Sequence, residues 1–374
     1  MSAFKFKKLI LFLHRWLGFI SGLVVFIVSI TGCIYCFQDE ILDSFYSYRK
    51  VEIQQKPFVS PSQLQAEAKQ IYPDGKITLV IFYGKSRSAQ VRVLQDKKIH
   101  ALFYNPYTAT FLHDEIMEDQ FFAFIKEVHL HLFLPAEIGK MVNGICVIIF
   151  IIIMISGLVL WWPKRKSDRK RCFKIKWNGK WKRVNYDLHN VLGFYITSFA
   201  VILAITGLSF SFQWVRQGIY NTANLGKTYP SDVKFKSDSI NKLNYPDSLF
   251  TIDRAFSFAR LNSPQANAFL IYPGRKSGAP INISAYPKPL HFSYNENYSF
   301  DRYSGKMLDF KSYKRKNAGA KINAMNYDIH TGQILGLFGK IIAFLVSLIS
   351  ATLPVTGLIL YLGKKYKPKK VRSK

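Results

Sequence analysis

The sequence predicts an α-helical membrane protein made by internal duplication, each half reading helix, small α+β domain, helix. Three observations predict it. The segment LHRWLGFISGLVVFIVSITGCIYCFQ, from Leu13, returns as LHNVLGFYITSFAVILAITGLSFSFQ, from Leu188, so that His14 matches His189, Gly18 matches Gly193, Thr31-Gly32 matches Thr206-Gly207 and Gln38 matches Gln213. Four apolar stretches, at 9–37, 141–162, 188–214 and 341–362, are long enough to cross a bilayer, which takes roughly 20 residues. The polar segments between them share one pattern of helix, strands and turns. With 374 residues, 49% of them hydrophobic, the chain has material for more than one domain.

The elements follow in order. Residues 1–40 hold the first transmembrane helix; its apolar run is too long, and lacks the small-residue site, for a cleavable signal peptide. Residues 41–125 form the first α+β domain, with a helix-like stretch at 62–71, alternating strands at 76–83 and 89–94, and FYNPYTATFLHD from Phe103. Residues 126–163 carry the second transmembrane helix, opened by Gly139-Lys140 and closed by SGLVLWWPK from Ser156. A basic loop at 164–187 leads to the third, at 188–215. The second α+β domain, at 216–325, repeats the first: a helix-like stretch at 252–261, strands at 268–272 and 281–285, and SFDRYSGKMLDF from Ser299. Residues 326–363 carry the fourth helix, opened by Gly339-Lys340 and closed by TGLILYLGK from Thr356. A basic tail fills 364–374. Period-two alternation with β-branched residues supports the strands, and the Asn-Pro and Ser-Gly turns punctuate hairpins. Both halves start on the same side, which makes a parallel repeat about an axis along the membrane normal.

The formal charge of +29 would suggest nucleic acid in a soluble protein, but its distribution argues against that partner. Lys5, Lys7 and Lys8 precede the first span, Lys164, Arg165, Lys166, Arg169, Lys170 and Arg171 crowd the short loop, and Lys364, Lys365, Lys367, Lys369 and Lys370 end the chain. Short basic loops stay cytoplasmic, so both termini and the middle loop are expected inside and the two long segments outside. The four cysteines make no disulfide scaffold: Cys146 lies in a span, Cys172 in the loop, and Cys33 and Cys36 form a C-x-x-C within the first helix, read as small packing residues rather than a redox pair.

Of the eight histidines, His100, His113 and His291 read as ordinary surface residues. His14 and His189 each lie roughly 9 Å above the nearest basic cluster, a matched height that suits one haem b held by both. On the other side, His129 closes EVH and His330 closes DIH, each shortly before a Gly-Lys pair. His131 competes with His129; residues two apart on a helix point nearly opposite ways, so one does not replace the other, and the acidic-x-His pattern favours His129. Ionisable groups in apolar spans are functional candidates, and iron held by two axial imidazoles serves electron transfer, with no position open to oxygen. If the spans run straight, the path from the level of His14 to that of His129 approaches roughly 40 Å, less any break at Pro135. Arg15, Lys140 and Lys340 are candidate partners for haem propionates. Gly18, Gly22, Gly193 and Gly207 would admit a flat macrocycle or close helix packing.

This constellation resembles the PepSY-associated transmembrane family of bacterial inner-membrane proteins, which includes ferric-siderophore reductases. The motifs that carry the resemblance are LHRWLG, HLHLFLPAEIGK, SGLVLWWP, YDLHNVLG and YDIHTG, with PepSY-like NPYTATFL and DRYSGKML in the two outer domains. The resemblance implies b-type haem in the four-helix unit and reduction of a ferric siderophore, or another ferric chelate, on the periplasmic side. Electrons are expected to enter from a cytoplasmic or quinol donor at His14/His189 and to leave by way of His129/His330. Ferrous iron is held far less tightly by hard oxygen ligands, so reduction would release it. No G-x-G-x-x-G follows a strand and opens a helix, so NAD(P)H is not expected to bind by that means. The rival reading is a non-enzymatic anchor whose outer domains bind a peptide or partner protein; it gives no reason for the matched histidines.

Overall fold

A computed structural model describes residues 3–163, 165–229, 235–238, 248–274, 276 and 278–365. Lys164 and the tail residues Lys367, Lys369 and Lys370 lie outside the described residues. In chain order the helices are α1 (Ala3–Cys36), α2 (Gln38–Phe45), α3 (Pro61–Ile71), α4 (Phe121–His131), α5 (Ala136–Trp161), α6 (Arg169–Cys172), α7 (Trp181–Asp187), α8 (Gly193–Ser211), α9 (Gln213–Ala223), α10 (Ser248–Asn262), α11 (Ala318–His330) and α12 (Gly336–Lys365). The strands are β1 (Lys76–Phe82), β2 (Ala89–Gln95), β3 (Lys98–Tyr104), β4 (Phe111–Ile116), β5 (Ala268–Tyr272), β6 (Ile281–Tyr286), β7 (Glu296–Phe300) and β8 (Met307–Lys311). The chain divides into two compact units, one of Met1–Phe37, Ile125–Arg216 and Ile329–Lys374, the other of Gln38–Phe124 and Gln217–Asp328.

The first unit is helical. Its stretches Lys5–Cys36, Ala136–Trp161, Trp181–Ser211 and Gln333–Gly363 are each long and apolar enough to cross a membrane. Helix α1 packs on α5 and α12, and α8 packs on the same two, so α1 and α8 stand at opposite corners of a four-helix bundle. Met154, Ile196, Ala200 and Val346 fill its middle. The outward face stays apolar: Ile20 is 66% and Leu23 71% exposed, a surface that suits hydrocarbon rather than water. Between α7 and α8 the backbone opens into a π-helical turn at Leu188–Leu192, the kind of local widening that recurs at functional sites.

Two sharp reversals separate short helices from spans. After α4 the chain turns back through Leu132 and Phe133, at φ +56° and +60°, and Pro135 leads into α5. After α11 it turns through Gly332 at φ +77°. Only glycine fits where the arms meet. A Cβ on Gly139 would fall 2.1 Å from the His131 carbonyl oxygen, and one on Gly339 the same distance from that of Gly332.

The second unit holds one eight-stranded sheet in the order β4-β3-β2-β1-β5-β6-β7-β8. The sequence reads two separate small domains here. The structure instead joins two four-stranded meanders edge to edge through antiparallel β1–β5 pairing, with Ile81 opposite Leu270. Strands β3 and β7, which sequence alternation leaves undrawn, fill the middle of each meander. Leu64 and Ala68 of α3 and Ala255, Phe256 and Ala259 of α10 pack on one face against Val80, Phe82, Val91, Ile271 and Ile283. Burying those apolar faces is the main stabilising term. Asp253 of α10 accepts from the Ser62 backbone N–H and hydroxyl of α3, tying the covering helices together. The expected turns match in detail: Asn105 accepts from the Tyr107 N–H and Asp301 from the Tyr303 N–H, and Ala109 and Gly305 adopt φ +59° and +73° at the same place in each turn.

Candidate functional site

The helical unit brings four of the singled-out histidines together in two pairs. His14, on α1, faces His189, in the π-helical turn, with ring centroids 6.3 Å apart and planes at 89°. His129, near the end of α4, faces His330, the last residue of α11, at 6.2 Å and 62°. His131 points elsewhere, its Nδ1 lying 2.7 Å from the Glu127 carboxylate one turn back. The reason is the helical spacing that separates the two side chains by more than half a turn.

All four paired imidazoles are anchored alike. The Nδ1 of His14 lies 2.9 Å from Ser156 Oγ, that of His189 2.9 Å from Thr356 Oγ1, that of His129 3.1 Å from Thr31 Oγ1 and that of His330 3.0 Å from Thr206 Oγ1. Each hydroxyl already donates its one proton within its own helix: Ser156 to the Ile153 carbonyl, Thr356 to Thr352, Thr31 to Ile27 and Thr206 to Ile202. It can therefore only accept from the histidine. Carbonyls of Val28 and Leu203 lie 3.0 Å from the Nδ1 of His129 and of His330 and also only accept. The four rings are thus held as Nδ1–H tautomers, and each Nε2 keeps its lone pair, as a metal ligand requires. A glycine follows every anchoring hydroxyl. A Cβ at Gly157, Gly357, Gly32 or Gly207 would stand 3.1–3.4 Å from the Cε1 of the adjacent ring, so these glycines let the imidazoles lie against the helices.

The residues fit a metal that brings its own equatorial donors. Two imidazole nitrogens each about 2.0 Å from one metal, with a ring centre about 1.1 Å behind each nitrogen, put the centroids about 6.2 Å apart. Both pairs match that separation. Among the described residues no group of three or more His, Cys, Asp and Glu gathers to hold a bare ion, so two imidazoles are what the chain offers at each centre. Gly18, one turn from His14, has open space where a Cβ would be, whereas a Cβ on Gly22 would meet Pro354 at 3.3 Å. The first glycine leaves room beside the ring; the second serves helix packing.

The sequence places the two pairs too far apart. Because α4 and α11 reverse before the spans, His129 lies against residues 28–32 of α1 and His330 against residues 203–207 of α8. Along α1, the rise from His14 to Thr31 is about 25 Å rather than 40 Å.

The candidate cations differ from one another. Arg15 sits with its guanidinium 5.3 Å from the Tyr361 ring, and its Nε is buried without a hydrogen-bond partner, as expected of a group awaiting an anion. Lys340 is buried, while Lys140 is half-buried. The thiols of Cys33 and Cys36 form no disulfide and donate to the Phe344 and Lys340 carbonyls, as packing residues do.

His100 and His113, read as surface residues, are partnered within the sheet unit. His100 Nδ1 lies 2.8 Å from the Tyr72 hydroxyl, which donates to Asp114; burial and that bond push the Tyr72 hydroxyl up to about 12. His113 stacks on Tyr48 at 4.0 Å. Cross-strand pairing of β3 with β4 brings these groups together, which linear reading does not reveal. The anchoring role of Thr31, Ser156, Thr206 and Thr356 also escapes the sequence reading. So does Asn143, whose Nδ2 donates to the His129 carbonyl at 2.8 Å. A signal for the first four was present: each span carries a hydroxyl residue followed by glycine.

No curated protein matches the chain. The family described as the PepSY-associated TM region matches it over residues 11–364, a stretch that takes in both histidine pairs, their hydroxyl anchors and the whole sheet unit. The chain belongs to the PepSY-associated transmembrane family.

Proposed function

We propose that this protein is a haem-containing oxidoreductase of the bacterial inner membrane, moving electrons across the bilayer through two b-type haems to reduce a periplasmic ferric siderophore or similar ferric chelate. One observation carries the reading: two pairs of facing imidazoles, all four held with Nε2 bare, at the spacing two ligands of one metal would have. Haem iron with two axial imidazoles exchanges single electrons and offers oxygen no coordination site. His14 and His189 would hold one group, His129 and His330 the other. Arg15 would neutralise a propionate beside the first, and Lys340 and Lys140, which open the adjoining spans, are the candidate cations for the second. Internal duplication belongs to the same reading: hydroxyl anchors, glycines and reversals recur in both halves. It is supported by equal bonds at matched positions. The donor is a cytoplasmic or quinol reductant, with both termini on the cytoplasmic side. An anchoring role alone gives no reason to orient four half-buried imidazoles.

The test is the visible spectrum of protein purified from haem-replete cells. Reduced b-type bands with about two haems per chain are expected from two bis-imidazole sites, bleached by added ferric chelate as Fe²⁺ appears. A colourless preparation overturns the reading.

A further inference from the structure

The 163–187 loop builds a second, unrelated site. Lys170, Arg171, Lys174, Lys176 and Arg183 line one open, shallow cleft of about 600 Å³ together with Trp177. Among the loop's described side chains, one carboxylate pairs with these cations. Asp187 pairs with Arg183 Nε at 2.8 Å and accepts from the Lys176 backbone N–H at 3.1 Å. That carboxylate offsets the charge of Arg183, and Lys170, Lys174 and Lys176 also line the cleft. The side chains of Lys170 and Lys174 are exposed and have no carboxylate partner among the described residues.

The loop is not a free basic tail. Trp161, at the end of α5, stacks on Phe194 of α8 at 3.8 Å, and Phe173 packs edge-on against both. Trp161 Nε1 donates to the Cys172 carbonyl and the Tyr195 hydroxyl to that of Phe173. These contacts clamp the cleft against the ends of two bilayer-length helices. Trp177 in the cleft, Trp162 just after α5 and Trp181 at the start of α7 are 70%, 65% and 63% exposed, the placement indoles take at the headgroup level of a bilayer. A soluble anion would need the cations but not the ring of exposed indoles.

We propose that this cleft binds the phosphate headgroup of an anionic phospholipid, with Lys170, Lys174 and Lys176 on the phosphate and Trp177 and Trp181 among the acyl-chain ends. The experiment titrates detergent-solubilised full-length protein with phosphatidylglycerol, phosphatidylcholine or inorganic phosphate and counts bound lipid by native mass spectrometry. Phosphatidylglycerol should bind and phosphatidylcholine should not. Each lysine near a lipid phosphate contributes roughly fivefold, so Lys170→Gln with Lys174→Gln should weaken binding about 30-fold. The same change at two exposed lysines of the sheet unit, Lys97→Gln with Lys306→Gln, should leave it unaltered. All variants should keep the wild-type visible spectrum, which separates this site from the histidine pairs. Equal binding of phosphatidylcholine, equal loss in the control variant, or wild-type affinity after the double substitution in the cleft would each overturn the proposal. So would inorganic phosphate displacing the lipid at matched concentration, which would make the occupant a soluble phosphate.

Discussion

A hydroxyl beside each paired histidine decides what that histidine can do. Because Ser156 uses its proton on Ile153, it accepts from His14 and so leaves the ring's Nε2 bare. Groups of this kind typically change metal affinity 10–100-fold. Under the proposed function, Ser156→Ala should release the His14/His189 haem at least about tenfold faster into an apoprotein acceptor and retain the other haem. His129 faces His330, while His131 turns to Glu127. Under the proposed function, His129→Ala should lose one haem and chelate reduction, and His131→Ala should keep both haems and most activity. Loss of a haem from His131→Ala alone would reverse that assignment.

Reversals and turns act at the scale of elements. The Gly-Lys pairs look in sequence like simple span openings, but the glycines are where two arms of chain touch. Gly339→Ala forces a Cβ into the Gly332 carbonyl, so the backbone that presents His330 must shift. The expected result is loss of the His129/His330 haem with the His14/His189 spectrum intact; an unchanged spectrum would show that the reversal does not position the ring. In the sheet unit, the turn after β7 depends on Asp301. Burial alone would raise its pKa, but hydrogen bonds from the Ser304, Asp238 and Tyr303 backbone N–H groups and the Ser304 hydroxyl outweigh burial and lower it. A lowered folded-state value means stability that is complete above the ordinary carboxylate value of about 4 and lost as pH falls through the folded value. The advantage of the wild type over Asp301→Asn, read from thermal unfolding of the full chain, should be present at pH 7 and vanish in that acid window.

For the whole molecule, the bundle places α1 and α8 at opposite corners. Each pair then draws its two histidines from different halves of the chain, so a single substitution removes a shared group. His14→Ala and His189→Ala should each abolish the same haem signal and leave the other, checked by haem content and redox titration. Loss of both signals from either variant would contradict pairing across the bundle. In the other unit, the β1–β5 seam turns two short meanders into one sheet, covering two edges that would otherwise invite pairing with other chains.

Much of this was legible before any coordinates. Apolar runs of bilayer length announce spans because backbone groups in hydrocarbon must satisfy one another within a helix, and matched segments around His14 and His189 announce a pair. Strands β1, β2, β5 and β6 follow from period-two alternation, and the Asn105 and Asp301 turns from residues that fold back on their own backbone. Other features depend on contacts between residues far apart in the chain. Nothing local says that Thr31 meets His129 or Ser156 meets His14, that β1 pairs with β5, or that His100 shares a cluster with Tyr72 and Asp114. The sequence alone determined the spans, the histidines and their matched heights along the first and third of them. Only the tertiary structure decided which His faces His330, how near the two pairs lie and which nitrogen is left bare, because chain reversal and side-chain hydrogen bonding are set by packing and not by spacing along the chain.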